Sequence, residues 1–330
     1  VSLTITTSEL IDEPDVTLAG RAALVTCADN VCTATITLTG ADAPGDIDWE
    51  IAAIADLAGN PGSGRTKASQ GTTDGTVVDL DSTELELTAV TLASDNVLST
   101  LHAKADEVVT LSITASKAIN VPTIVFTDAD GTVVDDASRV TVSGSNGDTT
   151  FSAAFTVASG DSDGPVGFSV DYVDSVGGNV GSTVSSVTDG TSVTIDNSLP
   201  VLSSVTLSAS PSTGRVGSVI TVTFNPSEPL SPGTTVSIAG VAATDVTCIA
   251  GGACTATHTV VSGDVQGDVA IEIDFSDVAG NAGSTVSSVT DGTSVTIDTV
   301  APTIIGVSIA SDAADATKAV QGSTVSLTIT

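Results

Sequence analysis

One sixteen-residue segment occurs twice in this chain, unchanged: residues 181–196 and residues 283–298 both read GSTVSSVTDGTSVTID, 102 positions apart. Self-similarity of that length means one structural unit used again, so the chain must fold as an array of like units rather than around one large core. A looser copy, TDGTVVDLD at residues 73–81, keeps TDGT and the later Val, Leu and Asp at the same intervals. Three units therefore end alike.

Each ending is preceded by a second shared segment: DLAGN at 56–60, DSVGGN at 174–179 with one extra residue, and DVAGN at 277–281. Gly beside Asn is turn chemistry. Near the start of each unit, alternating apolar residues (Leu3 and Ile5, Leu111 and Ile113, Val222 and Phe224) run into Ser8-Glu9, Ser116-Lys117 and Ser227-Glu228. Period-two alternation with Thr between signals half-buried strands. Ile271, Ile273 and Phe275 alternate with Glu272 and Asp274 in the same way, and no segment carries a capped helical period. With turn residues recurring every eight to twelve positions, the expected class is all-β, a row of β-sandwiches. The boundaries fall at about 1-86, 87-198, 199-300 and a remnant at 301-330, with Pro200 and Pro302 at two of the junctions.

Charge decides which partners such an array can have. Forty Asp and Glu against eight Lys and Arg leave a net charge of -32, while 41% of residues are apolar, enough to fold rather than remain an acidic tail. Nucleic acid and anionic membrane surfaces would repel the chain, and cations are its natural counterpart. With 2% aromatic residues and no Met, the core must come from Val, Ile, Leu and Ala. No run of about 18 apolar residues occurs, so neither a membrane span nor a retained signal peptide is expected.

The hexapeptide VSLTIT stands at residues 1–6 and again at 325–330, an interval of 324 or three units of about 108. On this reading the first unit begins at its second strand, and residues 304–309 are the first strand of a further unit. The expectation is a window of about three repeats in a longer periodic chain or polymer. Residues 301–330 of one copy would complete the domain begun by residues 1–86 of the next, by strand donation or, as the duplicated hexapeptide favours, by covalent continuation.

With DVAGN at 277–281, the closing Val-Thr-Ile-Asp298 followed by Ala301-Pro302-Thr303, and Ser227-Glu228-Pro229 after the second strand, the chain resembles the tandem bacterial immunoglobulin-like (Ig-like) domains of large surface adhesins and extracellular fibres. The resemblance covers essentially the whole chain. It departs from the pattern where Lys117 replaces an acid, where no Pro follows Asp81, and where the Trp and core disulfide of antibody domains are missing.

Cys27 and Cys32, and Cys248 and Cys254, occupy matching positions, each pair followed by Thr-Ala-Thr; the second unit has Ser145-Asn146-Gly147 there, a hairpin turn signal. A turn in one copy and a Cys pair in the others argues that each pair staples a hairpin, against the alternatives of free thiols or a zinc site, which has no His nearby. Paired Cys imply an oxidising, extracytoplasmic setting. Catalytic chemistry finds little support. GDSDG at 160–164 fits the nucleophile-elbow pattern without a following helix. His102 and His258 have no evident Ser or carboxylate partner and read as surface residues. Asp128-Ala-Asp130-Gly131 reads as a solvated hairpin, since its Gly comes too early for an EF-hand. No enzyme is expected.

The repeat-linked carboxylates carry more. In a seven-stranded sandwich the second and sixth strands run the same way, so Glu228 and the turn from Asp277 to Asn281 share a pole that faces the end of the preceding unit at Asp196. Asp196, Glu228, Asp277 and Asn281 form an oxygen-only set suited to Ca²⁺. The resemblance implies the same, because related adhesin repeats and cadherins are stiffened by interdomain calcium. At the preceding junction Lys117 faces Asp81 and Asp174, an ammonium in place of the metal. Across copies, Asp298 would meet Glu9, Asp56 and Asn60 in another calcium junction.

The functional expectation is the structural repeat region of an extracellular fibre, filament or adhesin stalk at the cell surface. The alternative is a ligand-binding adhesin module for a glycan or protein receptor. Sugar platforms need exposed Trp or Tyr, and the chain's Trp49 and Tyr172 sit in alternating strands where core positions are expected. No N-x-S/T sequon occurs, which favours a bacterial source.

Overall fold

Alternation along the chain becomes alternation across sheets. In Ile271–Asp274 the two Ile side chains are buried while Glu272 and Asp274 face water. In Val108–Ile119 the same rhythm buries Val109, Leu111, Ile113 and Ala115. A computed structural model describes residues 1–134, 138–249 and 252–330 of the chain. It is all-β, with mostly antiparallel sheets, none closed into a barrel. Among the described residues the one α-helix is the short Lys67–Gln70, and no helix is long and apolar enough to cross a membrane.

Contacts group the chain into two compact units. The first comprises Val1–Ala93, Val108–Thr156 and Pro165–Val193. It holds a three-stranded sheet in the order Ser2–Thr6, Val31–Thr35, Leu24–Ala28, with Ser2–Thr6 at an edge. It also holds a four-stranded sheet in the order Leu87–Ser94, Val108–Ile119, Asp148–Thr156, Val140–Ser143. Beside Ser2–Thr6, the residues Val16, Leu18, Val25, Cys32, Ala34, Trp49 and Ile51 form one core. Trp49 and Tyr172 are both buried.

The second unit comprises Ser94–Glu107, Val157–Gly164 and Thr194–Thr330. Its four-stranded sheet runs Leu202–Ser210, Val219–Pro226, Cys254–Thr259, Asp245–Cys248, the same succession of first strand, second strand and far hairpin as in the first unit. A three-stranded sheet of Val241–Ala242, Thr235–Ile238 and Ile271–Asp274 shares its core. Leu207, Val222 and Phe224 from one sheet meet Val236, Ile238 and Ile273 from the other. Two sheets closing on one apolar core are compatible with a β-sandwich.

The duplicated sixteen-residue segment performs the same local work twice. Thr293 Oγ1 accepts a hydrogen bond from the backbone N–H of Leu207 at 3.0 Å, as Thr191 Oγ1 does from Leu92 at 3.4 Å. Each of these Thr hydroxyls in turn donates to an Asp two residues earlier, Asp291 or Asp189, at 2.7 Å. The Gly between them is needed for its backbone: φ is 73° at Gly292 and 74° at Gly190. The closing Thr296–Ile297 and Thr194–Ile195 strands pair in parallel with Thr213–Gly214 and His102–Ala103. That brings Asp298 N to Gly214 O, and Asp196 N to Ala103 O, each at 2.8 Å.

Both cysteine pairs are disulfides across hairpin rungs, where Cys27 opposes Cys32 and Cys248 opposes Cys254. Residues 250–251 of the second hairpin loop lie outside the described residues. Asp128-Ala-Asp130-Gly131 is the turn of a hairpin between Thr123–Thr127 and Val133–Val134, closed by the N–H groups of Asp130 and Thr132 on Asp128.

Three expectations need correction. His258 is buried rather than exposed, and its Nε2 lies 2.9 Å from Asp264 Oδ2. It continues the inward alternation of Cys254 and Ala256, and a turn brings Asp264 back beneath it. His102 is partly buried, with Nδ1 3.0 Å from Ser99 Oγ. The strand expected at residues 304–309 lies at Val307–Ser311, paired with Val325–Ile329.

Short hairpin loops leave little entropy for a cross-link to remove, so each disulfide should contribute about 2 kcal/mol. Urea unfolding with and without reductant is expected to show that loss, with an unchanged far-ultraviolet circular dichroism spectrum before the transition. Loss of the β spectrum on reduction would contradict the stapling role.

Candidate metal centre

The DVAGN turn is built around its first carboxylate. Asp277 Oδ1 accepts the backbone N–H of Asn281 at 2.9 Å, and Oδ2 accepts Asn281 Nδ2 at the same distance. Asn281 Nδ2 also donates to the carbonyl of Asp196 at 2.8 Å, fastening the turn to the chain that precedes Leu202–Ser210. Gly280 takes φ 88°, which the turn requires, and Asp277 is fully buried. Ser227, just ahead of Glu228, is fixed by its N–H to Val201 O at 2.9 Å and by the Val201 N–H to its Oγ at 3.0 Å.

These anchors bring three acids together. One carboxylate oxygen each from Asp196, Glu228 and Asp277 lie within 4.8 Å of one another. If all three are charged, each pair repels by roughly 3 kcal/mol at an effective dielectric of about 20. Among the described residues none of the three has an ion-pair partner. Burial and then the charge of Asp277 push the Asp196 carboxyl above its ordinary value. Burial followed by Asp196 and Asp277 does the same to Glu228. A group of acidic oxygens this close together, partly buried and without an ion-pair partner among the described residues, could hold a metal ion.

The equivalent turn in the first unit has the same clamp and a different charge balance. Asp174 Oδ1 accepts Gly178 N at 2.6 Å, its Oδ2 accepts Asn179 Nδ2 at 2.7 Å, and Asn179 Nδ2 reaches the Asp81 carbonyl at 3.2 Å. Lys117 Nζ lies 3.0 and 2.8 Å from the two Asp81 oxygens and 3.9 Å from Asp174 Oδ2. The Lys117 ammonium, with help from the Thr83 N–H, lowers the Asp81 carboxyl to about 2. Burial works against charge on Asp174, but the bonds from Asn179 and Gly178 outweigh it and its carboxyl sits below the ordinary value. Lys117 lies near the end of Val108–Ile119 and Glu228 just beyond Val219–Pro226, each after a Ser, so ammonium and carboxylate occupy corresponding places along the sequence.

Asp56 repeats the turn a third time, accepting Asn60 N at 2.7 Å and Asn60 Nδ2 at 2.6 Å. Glu9, Asp56 and Asn60 belong to the first compact unit and Asp298 to the second.

Sequence reasoning missed the residues that position the acids. Asp163 accepts Asn197 N at 2.7 Å and Ser198 Oγ at 2.6 Å, holding the chain just after Asp196, and its charge adds to the upward push on Glu228. Asn96, buried, donates from Nδ2 to the Ala279 carbonyl inside the DVAGN turn at 2.8 Å and to Glu107 at 3.0 Å. Lys104 gives its ammonium to Glu107 at 2.7 Å. No repeated motif marks Asp163 or Asn96; the bonds by which they hold Asn197 and Ala279 span 34 and 183 residues.

A scan against models of protein families finds no match, and a search of curated proteins finds none. The functional reading rests on the geometry and the sequence.

Asp81 has a folded value below its unfolded one, so its contribution is present above about pH 4 and is lost as pH falls through about 2. Replacing Lys117→Met is expected to return the Asp81 midpoint, read by carboxyl NMR titration, toward 3.8 and to lower the melting temperature at neutral pH. An unmoved midpoint would show that the ammonium does not hold Asp81.

Proposed function

We propose that this chain is a structural segment of an extracellular fibre or adhesin stalk, built from tandem Ig-like sandwich repeats whose junctions are locked by cations. The carrying observation is the pair of equivalent turns: one surrounds a lysine ammonium with Asp81 and Asp174, and the other gathers Asp196, Glu228 and Asp277 without one among the described residues. The all-oxygen donor set fits calcium, a hard cation that takes six to eight oxygens and neutralises them without redox or proton chemistry. Asp196, Glu228 and Asp277 would hold it, and Asn281 and Asp163 would keep the segments that carry Asp277 and Asp196 in place. Asp298 of one copy with Glu9, Asp56 and Asn60 of the next would form a like junction. The disulfides support an oxidising, non-cytoplasmic setting for such a stalk. Burial of Trp49 and Tyr172 removes both as sugar platforms and favours the spacer over the glycan-binding reading.

Calcium binding should raise the melting temperature and chelator should reverse it, with about 2.7 kcal/mol at a free calcium concentration about 100 times Kd. Asp277→Asn is expected to abolish the calcium response. Glu228→Lys, which copies the Lys117 arrangement, is expected to abolish it while leaving the protein more stable than the parent in chelator. Calorimetry that finds no calcium binding to the parent would sink the proposal.

Because Asp196 and Glu228 are shifted upward, the folded state gains from their protonation, and that gain fades as pH rises through their folded values. In chelator, the parent should therefore lose stability relative to Asp277→Asn as pH rises from about 4 to about 7. In calcium the order should invert, since metal binding requires the deprotonated groups. A pH-independent difference between the two proteins would contradict this reading.

A further inference from the structure

Asp163 holds the chain after Asp196 by bonds that an uncharged residue makes elsewhere. Its Oδ1 accepts the Asn197 N–H at 2.7 Å and its Oδ2 the Ser198 hydroxyl at 2.6 Å. One repeat later Gln266 stands in the same place, just ahead of Gly267–Asp268 as Asp163 is just ahead of Gly164–Pro165. Gln266 Oε1 accepts the Thr299 N–H at 2.8 Å and its Nε2 donates to Thr299 Oγ1 at 2.7 Å, so the clamp needs no charge. Pro44 takes that position ahead of Gly45–Asp46, in the repeat that closes on Asp81. Of these three repeats, only the one whose closing Asp joins the group of three carboxylates has an acid there.

The charge of Asp163 falls on that group. Ser198 donates its hydroxyl to Asp163 and its N–H to Asp196 Oδ1 at 3.2 Å, so one serine carries both carboxylates. Among the described residues no Lys or Arg pairs with Asp163. Burial is the main reason that the Asp196 and Glu228 carboxyls are pushed up, and the charge of Asp163 adds to it at both. The sister turn shows what balances such charge: there Asp81 and Asp174 lie beside the Lys117 ammonium, a cation in the corresponding place. We propose that Asp163 sets the charge selectivity of the cation site, as a fourth carboxylate behind Asp196 that makes the site favour ions of charge two or three over monovalent ones. Its own oxygens are taken up by Asn197 and Ser198, so it acts through space. The inference rests on the calcium reading and goes beyond it, because it gives Asp163 a role that the clamp does not need. Coulomb attraction scales with the charge of the ion, so Asp163 must matter more to a trivalent ion than to calcium.

The test is calorimetric titration of the whole chain with calcium and with terbium(III), at neutral pH and fixed ionic strength, beside melting curves in chelator. Asp163→Asn keeps an oxygen for the Asn197 N–H and removes the charge. Asp163→Gln copies Gln266 and takes its place if the first variant folds poorly. Loss of an outer partner of a metal site typically weakens binding at least tenfold, so calcium affinity should fall about tenfold. Terbium affinity should then fall about thirtyfold, the same effect raised by the ratio of the ionic charges. In chelator the variants should melt no lower than the parent, since a repulsion has gone. Glu272→Gln, which removes one charge from the exposed face of Ile271–Asp274, should change neither affinity. Unchanged affinities in the Asp163 variants would overturn the proposal and leave the calcium reading standing. Equal losses for the two ions, or a lower melting temperature in chelator, would overturn it in favour of a clamp alone. Losses matched by Glu272→Gln would overturn it in favour of net charge. A parent that binds neither ion would overturn the calcium reading and this inference together.

Discussion

An Asp carboxylate closed by the amide groups of its own turn recurs at Asp56, Asp174 and Asp277, and the placement of the acids depends on it. In each case the Asn that ends the turn donates from its side chain to the Asp. At the last two, the same Asn amide also grips a carbonyl, that of Asp81 or Asp196, belonging to the chain ahead of the next first strand. One short segment therefore fixes a loop, orients a carboxylate and ties that carboxylate to the preceding repeat ending. Without the clamp the acids would spread apart under their own repulsion.

That repulsion is general in a chain of net charge -32, and at several acids the structure meets it with Thr hydroxyls and backbone N–H groups. The Thr39 N–H lowers Asp42, the side chains of Thr76, Thr293 and Thr317 followed by their N–H groups lower Asp74, Asp291 and Asp315, and the Thr191 N–H lowers Asp189. A carboxylate that accepts such bonds is stabilised without a cation. Asp196 and Glu228 are shifted the other way, as is Asp79, which bonds to Asp46 and has Lys67 close to that partner. What separates Asp196 and Glu228 is a third acid, Asp277, beside them and no lysine bound to any of the three among the described residues.

The all-β class was legible because period-two alternation of Val, Ile and Thr leaves a strand one way to bury its apolar side. The disulfides were legible because a turn in one repeat stands where a Cys pair stands in two others. Asp196, Glu228 and Asp277 were legible as a group once the strands were threaded. His258 was misread, although it continues the inward rhythm of Cys254 and Ala256, because its partner Asp264 comes from a turn that alternation does not describe. Asp163 and Asn96 left no signal. The bonds that tie them to the acidic group run to the Asn197 N–H, the Ser198 hydroxyl and the Ala279 carbonyl, which carry no residue-type pattern.

By itself, then, the sequence determined the strand rhythm and the stapled hairpins, since each is set by side-chain alternation or by residues close along the chain. It also determined the excess of acid that makes cations the natural counterpart. Only the tertiary structure decided which of forty acids meet, because that depends on sheet register and on clamps such as Asn281 reaching 85 residues back to the Asp196 carbonyl. It also decided the charge balance around the two turns. Burial and the distance between oxygens, neither of which is written in the order of residues, leave Asp81 satisfied by Lys117 and leave Asp196, Glu228 and Asp277 facing one another.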